Sequence, residues 1–502
     1  MIDTSLENKR WIDTVIKQDE VTPYLTGNDD FIDEGRIGAL LEEKKTPDPQ
    51  RIRDIIQKSL MIETLLPEET AALIAVKDQG LWDEIFSAAA DIKKKVYDNR
   101  VVTFAPLYCS NLCVNNCRYC GFRSDNPAVQ RQMLSMDQIR QETEVLAGTL
   151  GHKRLIAVYG EHPATGADYI AESMAAIYDV KVPVRKGCGQ IRRVNVNAAP
   201  MSVADYRKIH NAGIGTYQIF QETYHHATYR SVHPAGTIKS DYRWRLYSLH
   251  RAMEAGIDDV AIGALFGLCD WRFEVMGMLA HARDLERVFG IGPHTVSVPR
   301  IEPAVNTSFN QDAPFRVSDE DFKKLIAVLR LSIPYAGLIV TCRERPDMIR
   351  SVMPMCTQRD ASSRIGIGAY SRSVSGQQER KQQFILGDTR SLDEVIRELA
   401  AMGCITSFCT AGYRCGRTGK KIMTLLRTGQ EGCFCKLNAI LTFQEWIEDF
   451  ASEETRAIGE EIIRKEIEEV KAKVPAYFTP AILEKLLEYY SLIKNGQRDL
   501  CF

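Results

Sequence analysis

The sequence predicts an α/β protein. A closed (β/α)8 barrel over residues 99–375 follows an N-terminal helical region (1–98) and precedes a mostly helical C-terminal extension (376–502). Three observations predict this. Eight short runs rich in β-branched residues fall between residue 100 and residue 375, segments of helical period separate most of them, and polar residues gather at their C-terminal ends. Strands alternating with helices imply βαβ units and a parallel sheet. Eight units over roughly 275 residues fit a closed barrel, with a doubly wound sheet as the alternative.

In chain order, RIRDIIQKSLMIETLL (51–66) and ETAALIAVKDQGLWDEIFSAAADIKKKV (69–96) repeat apolar residues at i, i+3 and i+4, which predicts two helices, with Pro67 and Glu68 opening the second. The strand candidates are VVTFAPLY (101–108), RLIAVYGE (154–161), IRRVNVNAAP (191–200), TYQIFQET (216–223), DVAIGALFG (259–267), HTVSVPRIEP (294–303), AGLIVTCRE (336–344) and SRIGIGAY (363–370). Helical segments such as 133–150 and 243–256 lie between them. Glu161, Asn197, Glu222, Arg300, Thr341 and Arg343 stand at strand ends, and in a barrel those ends form the ligand-binding rim. The polar stretch SVSGQQERKQQ (373–383) marks the boundary of the extension. Beyond it come a helix (391–403), the second cysteine cluster and one charged helix over about 443–472, read as a solvated face packed along one stripe.

Composition narrows the function classes. The chain carries 64 basic and 66 acidic residues for a net charge of −2, with 45% hydrophobic residues. That balance offers no global pull toward nucleic acid, and no basic stripe with interleaved aromatics occurs. The first thirty residues contain no apolar signal core and no long apolar run follows, so neither export nor a membrane span is expected. Fourteen cysteines are too few for a disulfide scaffold, yet four fall at 109–120 and five at 404–435. In a chain without an export signal, such clusters read first as metal ligands.

The decisive string is CSNLCVNNCRYCGF. Within it Cys113, Cys117 and Cys120 read C-x3-C-x2-C, with Tyr119 just before the last cysteine. Structural zinc wants four closed ligands, and no local histidine supplies a fourth. Three thiolates on a [4Fe–4S] cubane leave one iron open to a small molecule, the arrangement used by radical S-adenosylmethionine (SAM) enzymes. The open iron holds the amino and carboxylate groups of SAM, and an enzyme of this kind needs a water-excluding barrel around its radical. Gly160 and Glu161 end the second strand, where glycine permits close approach and a carboxylate offers an acceptor to the SAM ammonium. Tyr119 joins that cofactor-binding set. Cys109 is read as a strand-end residue, because three cysteines already complete the site.

The string APLYCSNLCVNNCRYCGFR resembles the radical SAM tyrosine lyases, the family that includes the [FeFe]-hydrogenase maturases of the HydG type and is related to 2-iminoacetate synthase. Matching strings continue at YGEHP, FQETYHHATYRSVHPAGTIKSDY, HRAMEAGIDDVAIGALFGLCDWRFE, FGIGPHTVSVPRIEPA and FCTAGYRCGRTGK, covering nearly the whole chain. The resemblance implies a lyase that cleaves the Cα–Cβ bond of L-tyrosine to p-cresol and dehydroglycine. In HydG, dehydroglycine goes on to carbon monoxide and cyanide at an auxiliary cluster in the C-terminal extension. It places Thr341 and Arg343 at the substrate carboxylate, Glu222 and Tyr224 in the pocket, and Arg300 either in the pocket or on the rim. It also implies a reduced donor such as ferredoxin or flavodoxin, hydrogenase-maturation or thiazole-synthesis proteins as partners, and a reducing, anaerobic cytoplasm.

The chain departs from the family at its second motif, C-x2-C-x22-C. Cys409 and Cys435 match the outer positions, but the middle one is Gly412, which has no side chain to ligate iron. Cys415 is the nearest replacement, with Cys404 and Cys433 close in sequence. A cluster rebuilt on Cys415, no cluster, and a mononuclear or zinc site are the three readings left open. The family also holds a labile iron with a histidine, for which His281 and His294 are candidates, each read as a structural residue. The Gly412 change bears on the carbon monoxide and cyanide step, not on the radical step. Competing functions are a 2-iminoacetate synthase for thiazole biosynthesis, a lyase on another aromatic amino acid, and an iron–sulfur carrier without catalysis.

Overall fold

The computed structural model describes residues 11–43, 47–371, 382–428 and 431–502. The sequence-expected boundary at 375–376 and the Cys433 side chain lie outside what it describes. Eight parallel strands close a barrel: β1 (Arg100–Ser110), β2 (Arg154–Tyr159), β3 (Arg193–Asn197), β4 (Tyr217–Gln218), β5 (Val260–Gly263), β6 (Thr295–Ser297), β7 (Gly337–Val340) and β8 (Gln358–Asp360). Closure comes from β8 pairing with β1, Val102 opposite Gln358 and Phe104 opposite Asp360. The period of two along β1 sends Phe104, Pro106 and Tyr108 into the barrel cavity and Ala105 and Leu107 into the surrounding core. Among the described residues no helix is long and apolar enough to cross a membrane.

Three elements differ from the sequence reading. The eighth strand is Gln358–Asp360, not 363–370. Its polar residues hide it, because Asp360 turns inward to accept the Cys342 backbone N–H at 2.7 Å and Arg359 pairs with Asp388 at 3.0 Å. Residues 363–370 instead form a buried loop in which the Tyr370 hydroxyl donates to the Pro106 carbonyl at 2.9 Å. The helix expected over 69–96 is two helices, Pro67–Ile74 and Gln79–Tyr97. Asp78 restarts the second by accepting the Leu81 N–H at 2.8 Å, an N-cap that outweighs the continuous apolar period.

The charged helix expected over 443–472 is also two, Glu431–Asp449 and Glu453–Ala472. Ser452 caps the second and is itself held by Asp393 through its N–H (3.0 Å) and hydroxyl (2.8 Å). Only the second helix is packed along one stripe. The last turns of the first are buried all round, from Phe443 to Asp449. Its charges are internal ties: Glu445 binds the barrel residues Lys153 (3.2 Å) and Arg192 (2.8 Å), and Asp449 binds Arg498 of the extension (2.7 Å). The extension also supplies a ninth strand, β9 (Ile405–Ser407), parallel to the start of β1. Extension and barrel therefore share one sheet.

Candidate active site

One cavity opens at the C-terminal ends of the barrel strands. Its apolar floor is Phe104, Ile156, Val158 and Ile339, and charged and polar groups ring it above. The loop after β1 brings Cys113, Cys117 and Cys120 to its wall. That loop has no strand or helix ladder, so side chains satisfy its backbone. Asn111 Oδ1 accepts the Gln132 N–H at 2.7 Å, Arg131 donates to the carbonyls of Asn111 (2.9 Å) and Phe122 (2.7 Å), and Asn126 donates to that of Gly121 (2.9 Å). Cys109 instead points into the core, its thiol donating to the Leu107 carbonyl at 3.7 Å.

Burial raises the Cys113 thiol and pushes Cys117 up to about 12, against Lys239 and with the neighbouring thiols. Burial and the neighbouring thiols oppose ionisation of Cys113 and Cys117, so a shared positive centre is what would make thiolates of them. Among the described residues no three His, Cys, Asp or Glu side chains stand close enough for one metal ion. Three thiols lining one cavity, too far apart for a single ion, fit a multi-iron cluster better than a mononuclear site.

Gly160 and Glu161 are knitted to this loop. A Cβ at Gly160 would stand 2.1 Å from the Leu112 carbonyl oxygen, so only glycine fits there. Glu161 accepts from Asn115 Nδ2 at 2.5 Å, and burial raises its carboxyl above the usual range despite Arg245 and Lys239. The Tyr119 hydroxyl lies 2.8 Å from His233 Nε2, and His233 Nδ1 lies 2.9 Å from the Tyr229 carbonyl. A carbonyl accepts only, so Nδ1 carries the hydrogen and Tyr119 donates to Nε2. Burial holds His233 well below its ordinary pKa, hence neutral.

Glu222 sits just beyond β4 with φ +71°, a left-handed backbone that a non-glycine residue seldom adopts. Its carboxylate accepts from Lys239 (2.7 Å) and Arg245 (3.1 Å). Burial works against the charge, but these cations hold it below the usual range. Behind it, buried Glu274 accepts from the Thr223 hydroxyl (2.5 Å) and the Tyr224 N–H (2.9 Å), fixing the strained turn. Across the cavity, the Thr341 hydroxyl is buried without a partner among the described residues. Arg343 also lines the cavity, half-buried and stacked 3.3 Å from the Phe384 ring centroid, with no hydrogen-bond acceptor among the described residues. A free hydroxyl beside a free guanidinium is a receptor for a carboxylate.

Two expectations need correction. Arg300 is outside the cavity: it donates to Val317 O and Asp319 (both 2.9 Å), pairs with Glu344 and stacks on Phe322, which makes it a rim residue. Tyr224 is likewise outside, its hydroxyl 3.0 Å from His281 Nδ1. That contact and the 3.0 Å pair of His294 with Asp259 give both histidines structural partners. The sequence reading missed Asn115, Lys239, Arg245, Gln383 and Phe384. Lys239 and Arg245 sit in GTIKSDYRWR, which has the composition of an ordinary surface turn, so only their spacing from Glu222 in three dimensions reveals them.

The C-terminal cysteines divide into pairs. Cys409 lies just past β9 at φ +48°, its carbonyl 3.4 Å from Arg154 Nη1, and it and Cys435 both act on the Tyr97 phenol. Cys415 is exposed, its thiol 3.5 Å from the Phe502 carbonyl, and it neighbours Cys501, whose thiol is raised by burial and then by Cys415. Gly412 contributes nothing, and Cys404 lies beside buried Lys93. Cys409 and Cys435 keep the outer positions of the second motif, and Gly412 supplies no ligand between them.

A radical SAM superfamily model matches residues 107–274, and a biotin and thiamin synthesis associated domain matches residues 297–405. A crystal structure of HydG, a maturase of the [FeFe]-hydrogenase, superposes with a TM-score of 0.87 at 45% identity, covering 94% of this chain and 100% of that one. The X-ray structure of the FeFe-hydrogenase maturase HydG from Carboxydothermus hydrogenoformans gives a TM-score of 0.74 at 35% identity, covering 94% and 99%. The 2-iminoacetate synthase of Escherichia coli (strain K12) is 29% identical over 352 residues, 69% of this chain and 88% of that protein.

Proposed function

The chain belongs to the HydG family of radical SAM enzymes, and from that premise we propose that it cleaves the Cα–Cβ bond of L-tyrosine and releases p-cresol and dehydroglycine. The observation that carries this reading is the unpartnered pair Thr341 and Arg343 above an apolar floor. An aromatic amino acid offers a carboxylate for the first and a ring for the second. The family's cofactors are a [4Fe–4S] cluster and SAM, which when bound supply one-electron radical chemistry that takes a hydrogen atom from the substrate.

The chain's own residues bind, orient and exclude water. Cys113, Cys117 and Cys120 would hold the cluster. Glu161, oriented by Asn115, would accept from the SAM ammonium, and Tyr119, its hydroxyl pinned by His233, would close the cofactor side of the cavity. Arg343 and Thr341 would clamp the substrate carboxylate, while Phe104, Ile156 and Ile339 receive the ring. Glu222 keeps the charges of Lys239 and Arg245 engaged, so they do not compete with Arg343 for that carboxylate. A reduced ferredoxin or flavodoxin would deliver the electron.

The likeness to HydG maturases over 94% of the chain, C-terminal extension included, supports a role in [FeFe]-hydrogenase maturation, with a 2-iminoacetate synthase for thiazole biosynthesis as the alternative. Gly412 in the second motif favours a reaction that ends at dehydroglycine over one that continues to carbon monoxide and cyanide. The test is the product profile of anaerobically reconstituted, dithionite-reduced protein with SAM and L-tyrosine. Deoxyadenosine and p-cresol without trapped carbon monoxide are expected. Carbon monoxide would restore the second site. Deoxyadenosine without p-cresol, at full cluster loading, would remove tyrosine as the substrate.

A further inference from the structure

The polar stretch that separates barrel from extension in the sequence ends inside the site. Gln383, its last residue, lines the cavity. Its backbone carbonyl accepts the Gly121 N–H at 3.2 Å, and a Cβ at Gly121 would stand 2.7 Å from that oxygen. The glycine after the last cysteine therefore lets this segment seat against the loop. The Gln383 side chain then spans two groups: Nε2 lies 3.5 Å from Cys120 Sγ, and Oε1 lies 3.1 Å from the Tyr108 hydroxyl. The amide has one orientation that satisfies both. A cysteine thiolate only accepts, so the N–H faces sulfur and the carbonyl oxygen takes the phenolic hydrogen.

The other two cysteines have different neighbours. Asn115 Nδ2 is 3.8 Å from Cys113 Sγ but only 2.5 Å from Glu161, so its hydrogen bond goes mainly to the carboxylate. Cys117 feels the charge of Lys239, which is already bonded to Glu222. Gln383 thus makes the shortest side-chain N–H contact to any of the three sulfurs among the described residues.

We infer that Gln383 is a positioning residue that sets the reduction potential of the cluster through this N–H···S hydrogen bond, with Tyr108 fixing its direction. The inference rests on the reading that Cys113, Cys117 and Cys120 hold the cluster. Adding one electron increases the negative charge on the thiolate sulfurs, and a hydrogen-bond donor stabilises that state more than the oxidised one. Removing the donor therefore makes the cluster harder to reduce. A carboxylate in its place adds repulsion and does so further.

The experiment is an EPR-monitored reduction, at controlled potentials, of the full-length reconstituted protein without SAM, alongside iron and sulfide counts. It compares wild type with Q383L, Q383E and Y108F. At the wild-type midpoint, the reduced-to-oxidised ratio of Q383L should fall about threefold to tenfold, tenfold being 59 mV for one electron. Q383E should fall further, and Y108F, which frees the amide to turn, should lie between Q383L and wild type. A merely structural role would change cluster content or thermal stability and leave the midpoint of the loaded fraction where it was. Equal midpoints in the loaded variants overturn the inference, and if Q383L takes up no iron, Q383E and Y108F decide it. A wild-type chain that assembles no four-iron cluster defeats the parent reading of the three cysteines instead.

Discussion

Replacing Arg343 separates a ligand-binding arginine from a structural one by the sign of its effect on stability. Arg343 is half-buried, stacked on Phe384, and without a hydrogen-bond acceptor among the described residues. A half-buried cation without a hydrogen-bonded counter-ion costs the fold desolvation free energy, which Glu222 and Glu302 offset only through space. R343M keeps most of the side-chain volume and removes that cost, so the substrate-free protein should become more stable. At about 2.1 cal/mol/K of unfolding entropy per residue, each kcal/mol moves the midpoint of a chain this long by about 1 °C. A rise of that order is expected. Binding moves the other way: a bidentate charged clamp at about 1.5–3 kcal/mol corresponds to about 10- to 150-fold in affinity for the amino acid. The assay is differential scanning calorimetry of reconstituted wild type and R343M with and without L-tyrosine, paired with KM for p-cresol release. Wild type should gain stability with tyrosine, and R343M should start higher and gain none. Arg330 is the control, because its guanidinium donates to the carbonyls of Met355 (3.1 Å), Pro334 (3.2 Å) and Ala336 (2.6 Å), and R330M should lower the midpoint. A lower midpoint for R343M with an unchanged KM would refute the clamp.

G160A drives a Cβ to 2.1 Å from the Leu112 carbonyl oxygen, backbone against side chain with no flexible end to yield, and should cost about 1–3 kcal/mol and at least tenfold in SAM affinity. Wild-type SAM binding by calorimetry would refute that close approach. C117A should abolish iron uptake, whereas C415S should leave the iron count of the wild type unchanged; a loss of half the iron in C415S would return Cys415 to a ligand set. His226 docks the N-terminal segment through Asp30 (3.1 Å) and Glu34 (2.8 Å), and Asp30 chiefly raises its pKa above the ordinary 6.5. Because the folded value is the higher one, the stabilisation is complete below about pH 6.5 and is lost as pH rises through the folded pKa. H226Q should flatten the decline in denaturant midpoint between pH 6 and 8.5, and parallel slopes would count against the docking.

What the sequence made legible follows a physical line. Strands whose inward residues are apolar or small, such as β1 and β7, announce themselves, because burial writes a pattern into composition. Gln358–Asp360 does not, because its side chains serve hydrogen bonds and an ion pair inside the barrel rather than a hydrophobic layer. The helix break at Asp78 is a single capping residue within a continuous apolar period, and Glu445 and Asp449 read as surface charges while being interior ties. In the site, the cysteine loop was legible from spacing alone, since a cluster dictates which short-range residues it needs. Thr341 and Arg343 came through resemblance. Lys239, Arg245 and Gln383 were not legible, because each meets its partner across a distance in sequence that no local pattern encodes.

The residues that break local rules are the ones gathered at the cavity. Glu222 holds a left-handed backbone, Glu161 is a buried carboxyl, the Thr341 hydroxyl is buried without a partner, and half-buried Arg343 has no acceptor among the described residues. Each is a local cost, and a fold keeps such costs where the surrounding structure over-determines them. That support is visible behind each of the strained groups: Glu274 fixes the turn after Glu222, Asn115 orients Glu161, and Phe384 covers the face of Arg343. The supports come from a barrel helix, the cysteine loop and the segment that opens the extension, three parts of the chain that share no sequence signal. A site assembled this way is preorganised for charge, which is what a barrel must provide if substrate carboxylate and cofactor ammonium are to bind without rearranging it.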